Sequence, residues 1–302
     1  MGSRLFQFLG APGLLLAYVS LFWAGNTVVA RAIIHDITPF TVNFWRWVLA
    51  VLILLLFSYR HVARDWRHVL SSWRYLFVMG VLGVSVYSAT LYLAVHTTGA
   101  TNTAVIGSTT PVFSAIASWF ILRQGISGRE TVGFFIALAG IMVIFSRGDP
   151  GVFLDFHFFI GDLLMAFGIA CFAVYSVLLK RAPVGMHPLS LLTAVMAFGL
   201  MGIAPFYVWE ISEGAPLAVN WAGFLAIVYG AVFMSLLAYV FFNKAVAVIG
   251  ANKANLYGYL APPMTAVLVF AFLDEAFEMY HLVGMVLTIV GVHHATWRRA
   301  RP

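Results

Sequence analysis

The chain is a succession of long apolar runs separated by short polar stretches. About 20 apolar residues in a row form a helix that crosses the hydrocarbon core of a bilayer. Membrane β-barrels show shorter alternating segments instead. The pattern predicts an all-α integral membrane protein with ten transmembrane helices. They cover Ala11–Ile33, Pro39–Tyr59, Trp73–His96, Gly99–Leu122, Gly128–Ser146, Phe159–Arg181, Pro188–Trp209, Asn220–Val248, Gly250–Leu273 and Met279–Trp297.

The composition narrows the class further. Of 302 residues, 62% are hydrophobic and 9% are charged, whereas soluble domains carry about a quarter charged residues. With 11 acids and 17 bases, the chain lacks the polar surface of a soluble fold. This excludes a disordered chain and an ordinary soluble enzyme. The single cysteine, Cys171, excludes an intramolecular disulfide and a cysteine-based metal cluster.

The charges separate by side once the helices are threaded through a bilayer. With the N-terminus inside, one face receives 12 of the 17 bases, namely Arg4, Arg60, Arg64, Arg67, Arg74, Arg123, Arg129, Lys180, Arg181, Arg298, Arg299 and Arg301. The other face receives 9 of the 11 acids, namely Asp36, Asp149, Asp155, Asp162, Glu210, Glu213, Asp274, Glu275 and Glu278. Cytoplasmic loops are enriched in Lys and Arg, so both termini are predicted to be cytoplasmic. The net charge of +6 therefore reports topology and a lipid-bilayer partner, with no nucleic acid implied.

A repeat with a fixed offset of 151 residues divides the chain into two halves, 1–150 and 151–302. The offset pairs small residues and prolines, namely Gly99 with Gly250, Gly107 with Gly258, Pro111 with Pro262, Gly133 with Gly284, and Gly140 with Gly291. Each half holds five predicted helices. Because five is odd, the second half enters the membrane from the opposite side. Such inverted-topology repeats are typical of secondary transporters, although some channels also have them.

These paired segments, 99–140 and 250–291, resemble the repeats of the drug/metabolite transporter superfamily, in its ten-helix EamA-type exporters. The resemblance rests on small residues, a mid-helix proline, an acidic helix end and a glycine-rich last helix. Gln124 departs from the family pattern, which usually has Glu, whereas Glu275 keeps it. Within the superfamily the likeness is closest to bacterial exporters of aromatic and other neutral amino acids. The resemblance implies a bacterial inner-membrane carrier with alternating access to a central cavity, lined by helices one, three, four, six, eight and nine.

The two mid-helix prolines are candidate hinges. A proline at position i leaves the carbonyl of residue i−4 without its helical partner, which here frees the carbonyls of Gly107 and Gly258. Backbone of this kind is tolerated at membrane depth only where neighbours or a wet cavity satisfy it. Static kinks would serve packing alone. The recurrence of Pro111 and Pro262 at equivalent places in both halves favours hinges beside the cavity.

Polar and aromatic side chains within the spans are candidates for substrate binding. A cavity lined by Tyr and Trp with few charges suits a flat, partly apolar ligand. Each of these residues could instead be packed or face lipid, and small-residue packing is the favoured interpretation of Ser114 and Ser118. The candidates are Trp23, Asn26, Tyr87, Thr110, Tyr175, Tyr239, Tyr257 and Tyr259.

Four basic or titratable residues are candidates for gating or charge recognition. Arg46 either turns outward toward Asp36 or Asp162 or holds a substrate carboxylate, and its position in the outer half of its span favours the structural role. Lys244 and Lys253 flank the hairpin between helices eight and nine, as positive-inside anchors or as a cytoplasmic gate. His96, in the related outer hairpin, is either hydrogen-bonded structure or a proton relay.

Other chemistry finds little support. His293 and His294 are adjacent and point about 100° apart on a helix, so they do not share a metal as an i, i+4 pair would. No phosphate-binding loop is present, and neither a cofactor nor a catalytic site is predicted. The absence of buried carboxylates within the spans favours a facilitator over an ion-coupled carrier.

The predicted function is export of small neutral amino acids, including aromatic ones, by alternating access. A carrier of the same superfamily for drugs or other metabolites is the first alternative. An anionic nucleotide cargo would require more basic residues at mid-depth than this chain has. An intramembrane enzyme such as a lipid transferase is the second alternative. A homodimer through small-x-x-x-small faces, such as Gly133 with Ala137, is left open.

Overall fold

The structure is a computed structural model of the chain, and it describes residues 11–32, 38–97, 106–153, 159–214, 220–273 and 278–297. The regular structure within these ranges is helical. The first half contains α1 (Pro12–Ala32), α2 (Pro39–Ser71), α3 (73–97), α4 (Thr110–Leu122) and α5 (Gly128–Phe145). The second half contains α6 (Ile160–Leu178), α7 (Pro188–Ser212), α8 (221–249), α9 (251–273) and α10 (Met279–Thr296).

Seven of these helices are long and apolar enough to cross a membrane. They are α2, α3, α5, α6, α7, α8 and α9. The all-α membrane class predicted from the apolar runs is therefore confirmed. Ten spans arranged as two inverted repeats remain a prediction, since α1, α10 and the described part of α4 are not among the seven.

Helix α2 is longer than the sequence pattern predicts. It was expected to end at Tyr59, but it continues to Ser71 and contains 33 residues. At 1.5 Å per residue this is about 50 Å, well beyond the roughly 30 Å hydrocarbon core. The extension carries exposed basic side chains such as Arg60 and Arg67. Charge ended the apolar run, but neither glycine nor proline interrupts residues 60–71, so the backbone stays helical.

Two pairs of helices pack closely against each other. Helices α5 and α10 run antiparallel and cross at glycines, with Gly133 against the carbonyl of Gly291 and Gly140 against that of Gly284. This is the intramolecular form of the small-residue packing expected for Gly133. Helices α2 and α7 are also antiparallel. Glu210, near the end of α7, accepts hydrogen bonds from the first backbone N–H groups of α2.

The core lies between α1, α2, α3, α6, α7 and α8. Helices α3 and α8 each contain a π-helical segment, Val81–Val86 and Gly230–Leu237, at places that the 151-residue offset brings into register. Such segments widen the helix locally and shift its hydrogen bonding. In α3 the widening brings Gly83 directly against the ring of Tyr175. The sequence offers no signal for these segments beyond their small residues.

The predicted tight hairpin between helices eight and nine is confirmed. A single residue, Gly250, separates the end of α8 from the start of α9, with φ +88°. This left-handed conformation strains any residue with a Cβ. The related hairpin between helices three and four lies outside the described residues.

Candidate functional site

Helices α4 and α9 are broken beside their prolines. In the first half, Ser108 and Thr109 form a turn, and α4 starts with Pro111 in its first turn. In the second half, a 3₁₀ turn at Tyr257–Leu260 interrupts α9 just before Pro262. Continuous kinked helices were expected. Proline lacks the backbone N–H donor and clashes with the preceding turn of a helix. Here the result is a local loss of α-helical geometry and not a bend in a continuous helix.

Hydroxyl groups satisfy the backbone at both breaks. Thr110 Oγ1 donates to the carbonyl of Gly107 at 2.6 Å, which is the acceptor that Pro111 frees. Ser20 on α1 donates to the carbonyl of Tyr257 at 2.7 Å. Each break is therefore held by hydrogen bonds from side chains, as irregular backbone at membrane depth requires.

The two breaks also touch each other. The hydroxyl of Tyr259 donates to the carbonyl of Ser108 at 2.5 Å, and both residues are buried. Tyr259 and Ser108 lie 151 residues apart, so they occupy equivalent positions in the two halves. The contact couples the candidate hinges directly. Sequence reasoning selected Tyr259 as a cavity residue and missed this pairing, although the repeat offset contains it.

The candidate hinge glycines face open space. A Cβ built on Gly258 meets no described atom within 4 Å, and the one described group near a Cβ on Gly107 is the Met165 methyl group, at 3.8 Å. Packing therefore does not require glycine at either place. The hinge role of Gly107, Pro111, Gly258 and Pro262 remains a prediction.

Four of the predicted aromatic residues come together in one cluster around Phe172. Its ring lies 6.1 Å from that of Trp23, 4.9 Å from Tyr87, 5.8 Å from Tyr175 and 6.4 Å from Tyr239. These side chains come from α1, α3, α6 and α8, the helices that the family resemblance assigns to the cavity. We call this set the aromatic cluster.

Two hydroxyls of the aromatic cluster are already hydrogen-bonded. Tyr239 donates to the carbonyl of Gly83 at 2.5 Å, within the π segment of α3, and Tyr175 donates to Asn243 Oδ1 at 2.9 Å. A buried tyrosine hydroxyl needs such a partner. In this conformation the cluster is closely packed, so a solute would have to displace or rearrange these rings.

Tyr257 and Asn26 lie differently. The Tyr257 hydroxyl points toward Thr296 on α10, at 3.5 Å, and lies against Gly13 of α1. The hydroxyls of Tyr257 and Tyr259 thus contact different helices. Their spacing of two residues in the sequence does not predict which helix each one contacts. Asn26 is half-buried on α1.

Arg46 is buried near the aromatic cluster, with 6% of its surface exposed. Its Nε and Nη2 donate to Asn43 Oδ1 at 3.1 and 3.0 Å. Its guanidinium carbon lies 5.4 Å from the centre of the Trp47 ring. Arg46 therefore bonds Asn43 and does not reach Asp162, and Asp36 lies outside the described residues. The sequence analysis did not single out Trp47 as a neighbour of Arg46.

A polar network ties α9 to α4 and α6 at what we call the hairpin end, where α4 and α8 finish and α5 and α9 begin. Asn252 Oδ1 accepts from Ser114 and Ser118 at 3.1 and 2.8 Å. Asn255 Nδ2 donates to Ser114 and to Ser176 at 3.0 and 2.9 Å. Ser114 and Ser118 thus do more than the small-residue packing expected of them.

The basic gate candidates differ in their surroundings at the hairpin end. Lys253 forms an ion pair with Glu130 at 3.6 Å, whereas Lys244 is exposed. Lys180 donates to the carbonyl of Ala247 at 2.7 Å. A partly open cavity of about 130 Å³ lies among Glu130, Lys180 and Lys253. The side chain of His96 lies outside the described residues.

The apolar helices and the breaks in α4 and α9 define the class of this protein, which is a helical membrane protein with paired broken helices. The EamA-like transporter family matches residues 11–146 and 159–296. The chain belongs to the EamA-like transporter family and is a multi-pass membrane transporter. The resemblance inferred from the paired glycines and prolines is thereby confirmed at the level of the family.

Related chains share most of this length. The chain is 29% identical over 285 residues to an uncharacterised transporter of Archaeoglobus fulgidus, covering 94% of this chain and 96% of the relative. It is 28% identical over 286 residues to the uncharacterised transporter YyaM of Bacillus subtilis, covering 92% and 91%. It is 27% identical over 211 residues to protein PecM of Dickeya dadantii, covering 70% and 69%.

A solved crystal structure shares the fold. Its TM-score is 0.74 at 18% sequence identity, and the match covers 95% of this chain and 96% of that one. At this identity the match establishes the fold alone. The names of these relatives state no substrate.

Proposed function

We propose that this protein is a carrier that exports small neutral amino acids, including aromatic ones, across a bacterial inner membrane by alternating access. Both termini lie in the cytoplasm in this proposal, since that orientation puts 12 of 17 bases inside. The ten helices form two inverted five-helix repeats. The contact between the two helix breaks carries the proposal.

The α5–α10 crossing supports the inverted relation of the halves. Gly133 and Gly284 are equivalent under the 151-residue offset, as are Gly140 and Gly291. Gly133 packs on Gly291, and Gly140 packs on Gly284. Equivalent helices that run antiparallel and exchange equivalent contacts are what a two-fold axis in the membrane plane produces.

The paired breaks support a transport cycle. Tyr259 and Ser108 join the two irregular segments at equivalent positions, so movement at one break acts on the other. Helix α9 also reaches α6, where Asn255 bonds Ser176, the residue after Tyr175 of the aromatic cluster. A change at the breaks can therefore be transmitted to the rings that surround the solute.

The hairpin end supports a closed state on one side. The bonds of Asn252 and Asn255 and the Lys253–Glu130 ion pair join α9 to α4, α5 and α6 there. Alternating access requires one end to close while the other opens. By the charge distribution this is the cytoplasmic end.

Flux measurements test the proposal. Purified protein is reconstituted into liposomes loaded with labelled phenylalanine, threonine, leucine or glutamate, and efflux is compared with protein-free liposomes. We expect efflux of the neutral amino acids and little efflux of glutamate. Tyr239→Phe should slow efflux, while the exposed Tyr59→Phe variant should match the wild type.

One result would contradict the proposal, and a second would contradict the facilitator prediction made from the sequence. If no neutral amino acid moves but a cationic drug does, the chain is a drug carrier of the same family. If a pH gradient accelerates efflux and a His96→Gln variant abolishes that effect, the carrier is proton-coupled and the facilitator assignment is wrong.

A further inference from the structure

Arg46 is a buried cation with no carboxylate partner in the part of the chain that the structure describes. It lies on α2 among apolar and aromatic side chains, and no described carboxylate comes within 4.0 Å of it. Charged groups inside a membrane helix are costly and usually serve function. The burial of this guanidinium without a described counter-ion therefore requires an explanation.

The hydrogen-bonding groups around Arg46 are unevenly matched. The one hydrogen bond of Arg46 Nη1 to a described residue is to the sulfur of Met234, at 3.9 Å, and a thioether is a weak acceptor. Four buried side-chain polar atoms among the described residues lack a partner, and two of them are Asn43 Nδ2 and Trp47 Nε1. Both belong to residues that contact the guanidinium.

The unsatisfied polar groups around Arg46 are all hydrogen-bond donors. The guanidinium, the Asn43 amide and the Trp47 indole offer N–H groups, while the Asn43 oxygen is already used twice. Buried donors left unpaired destabilise the fold, and a bound acceptor would remove that cost. A carboxylate suits the set, because its two oxygens match the planar fork of arginine.

We propose that Arg46, Asn43 and Trp47 form a binding site for the carboxylate of the transported solute. This inference rests on the proposed function and deepens it, because it assigns protein groups to the two ends of the solute. Trp47 lies 5.2 Å from the Tyr239 ring. A carboxylate at Arg46 therefore places the remainder of the solute toward the aromatic cluster.

This site changes the interpretation of Arg46. Sequence reasoning favoured a structural side chain turned outward to an acid. In the structure the side chain packs along Gly230, whose Cβ position is 3.2 Å from Arg46 Cδ, so the π segment of α8 admits the arginine. Because that segment belongs to α8, rocking of α8 would open or close the site.

Ligand-dependent thermal stability tests the site without requiring transport. A ligand that binds the folded protein raises its melting temperature. Detergent-purified protein is melted with phenylalanine, 3-phenylpropionate, phenylalaninamide and phenethylamine. We expect the first two, which carry a carboxylate, to raise the melting temperature, and the last two to leave it unchanged.

Variants assign the effect to Arg46. In Arg46→Gln the apparent affinity for both carboxylates should fall at least about tenfold. The exposed Arg60→Gln variant on the same helix is the matched control and should bind as the wild type does. Asn43→Asp supplies an internal carboxylate to the guanidinium, so it should melt higher without ligand and lose the response to both acids.

The outcomes separate this inference from the proposed function. If 3-phenylpropionate stabilises the protein through Arg46 but no amino acid moves across liposomes, the site stands and the proposed function fails. If phenylalaninamide stabilises as well as phenylalanine, or if Arg46→Gln and Asn43→Asp both retain the response, the site is refuted. No stabilisation of the wild type by either acid refutes it too.

Discussion

Two regions of this transporter use glycine at matching positions of both halves, for opposite physical reasons. At the α5–α10 crossing, a Cβ on Gly140 or Gly291 would lie 2.4–2.6 Å from the nearest backbone atoms of the other helix. At the break of α9, a Cβ on Gly258 would have no atom of the described residues within 4 Å. Glycine pairs at the 151-residue offset therefore mark close helix contact at the crossing and open space at the break.

The difference separates scaffold from moving part. Packed interfaces resist deformation, because every added atom must displace another. Helix breaks that are held by a few hydrogen bonds from hydroxyl groups should cost less free energy to rearrange. We therefore expect substitutions at the crossing to affect folding, and substitutions at the breaks to affect transport.

The largest effect is expected for Gly291→Val. The added atoms would collide with Ala137 and the carbonyl of Gly133, and overpacking costs about 1–3 kcal/mol or more. The melting temperature and the monodisperse yield in detergent should both fall. The matched control is Gly258→Ala, which should stay within about 0.5 kcal/mol of the wild type. Equal melting of the two variants would show that the comparison is wrong.

Pro262→Ala probes the second region. The new N–H can bond the carbonyl of Gly258, which now accepts from Ala261 N–H, and the break then keeps only one of its two adjacent prolines, Pro263. We expect efflux to fall about tenfold, equivalent to about 1.4 kcal/mol on the barrier, with a nearly unchanged melting temperature. Pro205→Ala, inside α7, serves as the control and should transport normally. Normal transport by Pro262→Ala at normal expression would reject the hinge.

Tyr259→Phe removes the bond that joins the two breaks. Losing the 2.5 Å bond to Ser108 should cost about 1 kcal/mol, which is the usual net contribution of a hydrogen bond to stability. Tyr257→Phe is the control, because its hydroxyl is 3.5 Å from Thr296. Efflux and melting temperature should fall for the first variant only. If both variants behave alike, the breaks are not coupled through Tyr259.

The smallest effect is expected away from both regions, at the start of α7. Burial lowers the pKa of His187 from 6.5, and the charges of His61 and Arg64 lower it further, opposed by Asp65. The unfolded chain therefore binds more protons, so stability falls as the pH drops below about 6.5. Melting temperatures between pH 8 and 5.5 should show this fall. His187→Asn, which keeps a capping side chain, should flatten it.

Much of the architecture was predictable from local patterns. The apolar runs predicted a helical membrane protein, and the pairs at offset 151 predicted the family. Pro111 and Pro262 marked the places where α4 and α9 break, because a missing N–H is a local property. The length of α2 was not predictable from hydropathy, since a helix can continue into water after the apolar run ends.

The candidate site was predictable in composition but not in arrangement. Trp23, Tyr87, Tyr175 and Tyr239 were selected and do meet around Phe172. Tyr257 was selected on the same grounds, yet its hydroxyl points to α10. Helical periodicity gives the face of a residue only relative to its own helix, and the 3₁₀ turn at Tyr257–Leu260 shifts that face within α9.

The sequence alone determined the class, the repeat and the positions at which the backbone cannot stay regular, because these depend on composition and on neighbours along the chain. Tertiary structure decided which glycines touch, that Tyr259 reaches Ser108, and that Arg46 packs along Gly230. These outcomes depend on how helices from both halves pack, and residues more than 100 positions apart meet only there.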